Sequence, residues 1–188
     1  MSTTHVETAA GDFPLPPFEF TDGDAREVLV APYEGGPGDD EFEALRSMYD
    51  GWPRDTQSQG LPPIARTRTE QWLRDVLDGV NTVAWHGETA VGHAMLVPDP
   101  DAGGEEYELA VFVRPRYQGA GVGTRLVEGL LAQGYRAGVR VVWLTVGSWN
   151  DPALRLYRRL GFETTSFLQP GWLDEGPDAH IARMELRL

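Results

Sequence analysis

The chain has 188 residues and a hydrophobic fraction of 41%, enough for one domain with a sizeable buried core. It contains no cysteine, which excludes disulfides, thiolate nucleophiles and Cys-ligated zinc, and its formal net charge of −13 disfavours nucleic acid as a partner. All 16 basic residues are arginine; together with the acidic excess this suggests a protein suited to molar salt, where hydrated carboxylates keep surfaces soluble and salt screens their repulsion.

No apolar run approaches the eighteen or so residues that a membrane span needs. The opening MSTTHVETAAGDF lacks the basic and apolar regions of a signal peptide. The expected compartment is therefore the cytoplasm, with no membrane partner; a homodimer is left open.

Residues 1–24, with Pro14, Pro16 and Pro17, read as an extended or flexible arm, and 25–188 as a single domain. REVLVAPY (26–33) predicts a first strand. Asp39 or Asp40 can cap a helix through about Tyr49, with Phe42, Leu45, Met48 and Tyr49 on one face. A long loop (50–68) follows, then a helix over Thr69–Asp78 with Thr69 as its cap. TVAW (82–85) and AVGHAMLV (90–97) make a hairpin. Glu106–Arg114 is a strand, a glycine-rich turn opens a helix to about Ala137, and RVVWLTV (140–146) is a strand. PALRLYRRL (152–160) is a helix ended by Gly161, with strands FETTSF (162–167) and HIARMELRL (180–188) after it. The order β-α-α-β-β-β-α-β-α-β-β gives an α/β (α+β) mixed sheet with helices packed on it.

Charge is distributed unevenly along this order. From Leu109 to Phe162 eight arginines face only Glu128 and Asp151, a net +6, which leaves −19 for the rest. That basic third is where an anionic ligand would bind, the alternative being that its arginines solvate helix faces.

Its centre is RYQGAGVGTRL (116–126), glycines between a strand and a helix, as in phosphate-binding turns. A P-loop needs a lysine after its glycines, and the chain has none. A dinucleotide fingerprint needs a third glycine where Thr124 stands and an acid about twenty residues on, and Gly129–Trp149 contains no acid.

Gln118-Gly119-Ala120-Gly121-Val122-Gly123 instead resembles the Q/R-x-x-G-x-G/A motif of the GNAT superfamily of acyl-CoA-dependent N-acyltransferases. Asn150 to Phe162, NDPALRLYRRLGF, resembles the N-x-x-A-x-x-L-Y-x-x-x-G-F signature of the same superfamily. Both stand in the family's order, and the resemblance covers residues 82–167. It implies a sheet splayed between the fourth and fifth predicted strands, with the thioester of acetyl-CoA in the gap. Backbone groups of Phe112 and Val113 would pair with the pantetheine arm as an added strand. The N–H groups of Gly119, Ala120, Gly121, Val122, Gly123 and Thr124 would cradle the pyrophosphate, with Gln118 leading the motif; Arg116 and Arg125 flank it. Asn150 would hold the cofactor arm or cap the following helix, and Tyr157 would protonate the departing thiolate or simply pack beside Leu154 and Leu160.

The implied reaction is direct attack of a neutral amine on the thioester, which needs a base, an oxyanion donor and an acid. Glu106 and Glu108 share strand parity and are both candidates for the base; a bulge would shift that parity. His93 is a further candidate. No metal site is expected. The loops 50–68, with Trp52 and Arg54, and 168–178, with Trp172 and Asp174, would choose the acceptor. The expected function is transfer of acetyl from acetyl-CoA to a primary amine of a small molecule or protein; the competing reading is a non-catalytic acyl-CoA-binding module.

Overall fold

The computed structural model describes residues 12–36, 38–50, 52, 66–102, 106–168 and 180–188. Strands β1 (Phe18–Thr21) and β2 (Glu27–Pro32) precede helices α1 (Asp40–Asp50) and α2 (Arg66–Leu77). β3 (Val80–His86), β4 (Thr89–Pro98) and β5 (Glu106–Val113) follow, then α3 (Val122–Arg136), β6 (Val141–Gly147), α4 (Asp151–Arg159), β7 (Glu163–Leu168) and β8 (Ile181–Arg187). The eight strands form one sheet in the order β1-β2-β3-β4-β5-β6-β8-β7, antiparallel except at β5–β6.

The sheet begins earlier than the first predicted strand: residues 18–21 form β1, hydrogen-bonded antiparallel to β2. Short amphipathic FEFT carries no signal of its own that separates an edge strand from an extended arm. α2 begins three residues before the predicted cap, so Thr69 lies inside the helix, buried, instead of at its end.

Each face of the sheet owns a cluster of apolar side chains. On one face α1 and α2 bring Phe42, Leu45, Met48, Tyr49 and Leu73 onto Val83, Met95 and Phe112. On the other, Leu126, Val127, Leu130 and Leu131 of α3 and Leu154, Tyr157 and Leu160 at α4 cover Val28, Val30, Leu144 and Met184. Burying each large side chain contributes about 1.5–3 kcal/mol. Strand alternation makes the division: in β5, Leu109 and Val113 join the second cluster and Phe112 the first. Asp39 caps α1 by accepting from Phe42 N–H at 2.9 Å. Gly161, at φ +93°, ends α4 with Phe162 N–H donating to the Tyr157 carbonyl at 3.0 Å.

Candidate active site

The parallel ladder between β5 and β6 is short. It pairs Glu106 with Val141, Tyr107 with Val142 and Glu108 with Trp143, and stops there. Beyond Glu108 the two strands part, so the splay expected between the fourth and fifth predicted strands is present, and among the described residues one edge of β5 from Leu109 to Val113 lacks a strand partner.

The β4–β5 register identifies which backbone groups this edge offers. Asp99 N–H donates to Glu106 O and Arg114 N–H to Val91 O, both at 2.9 Å, and the register between them is unbroken. Even-numbered residues of β5 therefore turn their N–H and C=O toward β4, and odd-numbered ones turn theirs toward the gap. The backbone groups that face the gap on this edge are thus those of Val111 and Val113. Phe112, expected to share that role with Val113, instead pairs through its backbone with His93. Its side chain enters the aromatic group of Tyr49, Trp52 and Trp72, with centroid distances of 5.5, 5.6 and 6.1 Å.

The glycine turn stands at the end of this edge. Gly119 (φ +75°) and Gly121 (φ +92°) adopt the left-handed region, and nothing lies within 4 Å of where a Cβ would stand on either. Glycine is required here by backbone conformation, and the space in front is open. Gly121 is the N-cap of α3 and gives it no side-chain cap; the first intrahelical bond is Arg125 N–H to Gly121 O at 3.2 Å. The N–H groups of Val122, Gly123 and Thr124 precede that bond and have no partner in the helix ladder. Uncapped N–H groups and the positive end of the helix fit a pyrophosphate. Ala120 turns its carbonyl away from the cleft, and the Val122 side chain is in the core. Gln118 does not reach into the cradle: its Nε2 donates to Val113 O at 2.9 Å, tying the turn to the strand edge.

Two arginines expected to flank the phosphates are engaged elsewhere. Arg125 pairs with Glu128 at 2.8 Å and lies over Phe18 and Phe20, and Arg116 lies over Tyr117. Among the described residues, the arginines that line the cleft are Arg155 and Arg159, one turn apart on the exposed face of α4. Sequence reasoning counted them in the basic third without placing them. It also missed Trp149, whose ring lies where a Cβ on Gly147 would stand, and Val111.

Asn150 performs its helix-capping role, its Oδ1 accepting from Ala153 N–H at 3.3 Å, and it also lines the cleft. Tyr157 is buried with its ring edge-on to Phe162 at 5.7 Å, and it too borders the cleft. Burial pushes its phenol well above the ordinary value, so it keeps its proton throughout the neutral range.

β5 carries no bulge against β4, so Glu106 and Glu108 keep their common face, the α1–α2 side. Their surroundings differ. Glu106 accepts from Arg183 Nη2 at 3.1 Å. Glu108 stands at the fork itself; partial desolvation by the surrounding chain and the nearby Asp99 raise its pKa, with Arg183 pulling partly back. His93 is fully buried between Tyr49 Oη (2.8 Å) and Asn81 Oδ1 (3.0 Å), and burial lowers its pKa to about 3. It is a core hydrogen-bonding residue away from the cleft lining. Among the described residues no group of His, Asp and Glu could hold a metal ion. Trp52 lines the cleft, whereas Arg54, Trp172 and Asp174 lie outside the described residues.

The cleft so built has a volume of about 780 Å³. It brings together Phe112, Val113, Gln118, Gly119, Gly121, Gly123, Thr124, Asn150 and Tyr157, and leaves Ala120, Val122, Glu106 and Glu108 outside the lining, Glu108 at the last pair of the ladder.

A model described as the acetyltransferase (GNAT) family matches residues 42–162, more than half of the chain. The chain is 38% identical over 100 residues to N-alpha-acetyltransferase RimI of Mycobacterium tuberculosis, covering 53% of this chain and 61% of that protein. It is 26% identical over 134 residues to the L-methionine sulfoximine/L-methionine sulfone acetyltransferase of Salmonella typhimurium, covering 62% and 78%. In fold it is similar to yncA of Salmonella typhimurium, solved with its cofactor acetyl-CoA, with a TM-score of 0.70 at 22% identity over 86% of this chain and 94% of that one. The chain thus spans about three fifths of the length of the first of these relatives.

Proposed function

Since the chain belongs to the acetyltransferase (GNAT) family, we propose that it transfers the acetyl group of acetyl-CoA directly to a primary amine of a small molecule or a protein. The observation that carries this reading is that one cleft holds an unpaired strand edge, an uncapped helix N-terminus and the Tyr157 phenol. A binding module needs the first two; a proton donor beside them serves a departing thiolate.

When bound, acetyl-CoA supplies an acyl thioester. Val111, through its N–H and C=O, and the Val113 N–H hold the pantetheine arm on the β5 edge, the Val113 carbonyl being taken by Gln118, and Gly119 to Thr124 hold the pyrophosphate. Arg155 and Arg159 add positive charge at the mouth for the remaining phosphate. The Asn150 amide, past the end of β6, holds the arm with the Nδ2 hydrogens that its capping role leaves unused. Glu108, at the fork and on the acceptor side, takes the proton from the incoming ammonium, directly or through one water. The Glu106 carboxylate is held by Arg183 and serves to anchor that guanidinium. Tyr157 gives its proton to the sulfur as the thiolate leaves. No covalent intermediate on the enzyme is required, which agrees with a chain lacking cysteine.

Trp52 and Phe112 form an apolar wall between the cofactor cleft and the α1–α2 side, where the amine would enter. The relatives' names span a protein α-amine and small amino-acid analogues, and both classes belong in the first screen. The same reading places the protein where acetyl-CoA is made and consumed, the cytoplasm, and its carboxylate excess in concentrated salt.

The test is thermal unfolding in molar KCl and in dilute buffer, with acetyl-CoA, CoA, NAD and ATP in parallel. A ligand at about a hundred times its Kd stabilises by roughly 2.7 kcal/mol. Stabilisation by acetyl-CoA and CoA alone, followed by amine-dependent thiol release, is the expected result. CoA binding without turnover on any amine would favour the non-catalytic module, and no response to either CoA species would end the acyltransferase reading.

A further inference from the structure

The cradle's two left-handed glycines have no side chains to hold them, and glycine is the residue with most conformational freedom to lose. What holds the peptide before Gly121 lies in the turn between β1 and β2. Gly23 N–H donates to Ala120 O at 2.9 Å. The peptide joining Ala120 to Gly121 is planar and trans, so its C=O and N–H point in opposite directions. A carbonyl held from behind by Gly23 therefore turns the Gly121 N–H forward, into the cleft. The approach is close: a Cβ on Gly23 would stand 3.3 Å from Ala120 Cα.

The β1–β2 turn is itself built to be rigid. The enclosed Asp22 carboxylate accepts from Asp24 N–H (2.9 Å), Arg26 N–H (3.0 Å) and Arg26 Nε (2.7 Å). Arg26 then spans to the glycine turn's other end: its Nη1 donates to Arg116 O at 2.9 Å and its guanidinium lies 4.2 Å from the Tyr117 ring centroid. Tyr117 is tied in turn to His86 Nδ1 at 2.8 Å. The glycine turn is thus gripped at Arg116 and at Ala120 by a single hairpin.

We infer that Asp22 and Arg26, acting through Gly23, are positioning residues for the pyrophosphate half of the donor: the β1–β2 turn presets the cradle. This rests on the acyl-CoA reading above. Residues 22–26 lie outside the 42–162 match to the family. Removing the grip leaves the β5 edge and Tyr157 untouched, so the loss falls on the pyrophosphate and not on the thioester chemistry.

The experiment compares two donors, acetyl-CoA and acetyl-pantetheine, which lacks the pyrophosphate and nucleotide. Asp22→Asn removes the charge that holds Arg26 Nε, and Gly23→Val wedges bulk against Ala120. In both variants the KM for acetyl-CoA and the Kd for CoA rise about tenfold or more, the scale of a misplaced binding group. The kcat at saturating acetyl-CoA and the kcat/KM for acetyl-pantetheine stay at wild-type values. A general loosening of the fold would lower both donors alike, and that result would overturn the inference, as would unchanged CoA affinity in either folded variant. A wild-type chain that binds CoA no better than acetyl-pantetheine would instead overturn the cradle, and this inference with it.

Discussion

Replacing Gly121 by alanine isolates what the turn's backbone conformation does. A Cβ there meets nothing within 4 Å, so no packing cost arises. The cost is the left-handed φ of +92°, about 1–2 kcal/mol for an L-residue. At about 2–4 °C per kcal/mol for a chain of this size, the melting temperature falls roughly 2–8 °C if the turn keeps its shape. If the turn relaxes instead, the peptide rotates and the cradle loses a charge-assisted hydrogen bond, about 1.5–3 kcal/mol or some ten- to hundredfold in CoA affinity. Gly123→Ala is the control. It lies in the first turn of α3, where its Cβ would make ordinary contact with Leu156 Cδ1 at 3.4 Å and Val113 Cγ2 at 3.6 Å. Alanine gains about 0.5–1 kcal/mol over glycine in a helix, so stability holds or rises and CoA binding is retained. Melting curves and calorimetric titration with CoA on both variants read the outcome. Gly121→Ala matching wild type in both measurements, or Gly123→Ala being the worse of the two, would refute the reasoning.

Tyr157→Phe keeps the ring against Phe162 and removes the proton donor, so kcat drops about 10²-fold with CoA affinity unchanged; stopped thiol release in single turnovers reads it. Glu108→Gln lowers kcat/KM by about 10²-fold. Because the folded pKa of Glu108 is raised, the wild-type acid limb lies above an ordinary glutamate's pKa and flattens in the variant. The same sign means that the fold favours protonated Glu108 and loses stability as pH rises through its folded pKa, so the variant is at least as stable as wild type near neutrality by urea unfolding. His93→Leu strands the Tyr49 hydroxyl and the Asn81 carbonyl in the core, costing about 1–3 kcal/mol for each orphaned group. With its folded pKa depressed to about 3, neutral His93 supports the fold fully above its unfolded value near 6.5, and that support is lost as pH falls from there toward 3. An acid-unfolding profile unmoved by His93→Leu would contradict this.

Much of the site is legible in the chain alone because its chemistry is local. Gln118 to Gly123 and Asn150 to Phe162 are read from residue types at fixed spacing: left-handed backbone admits glycine, a helix start favours asparagine, and Gly161 ends a helix wherever it stands. The face of α1 made by Phe42, Leu45, Met48 and Tyr49 follows from helical period, and all four are buried. Tertiary structure decided what depends on distant partners. Whether Phe112 or Val111 offers its backbone to a ligand turns on the β4–β5 register and on where β6 departs, which no property of EYELAVFV by itself contains. Arg125 and Arg116 stand beside the glycines in sequence but are engaged by Glu128 and nearby aromatic rings, while Arg155 and Arg159, some thirty residues on, line the cleft. Two glutamates alike in sequence were separated by the arrival of Arg183 from the last strand. An unremarkable FEFT became a strand, and the turn after it a brace, because β2 and the glycine turn were there to receive them. Backbone preference acts within a few residues, whereas a hydrogen bond or an ion pair across the sheet exists only once the chain has brought its ends together.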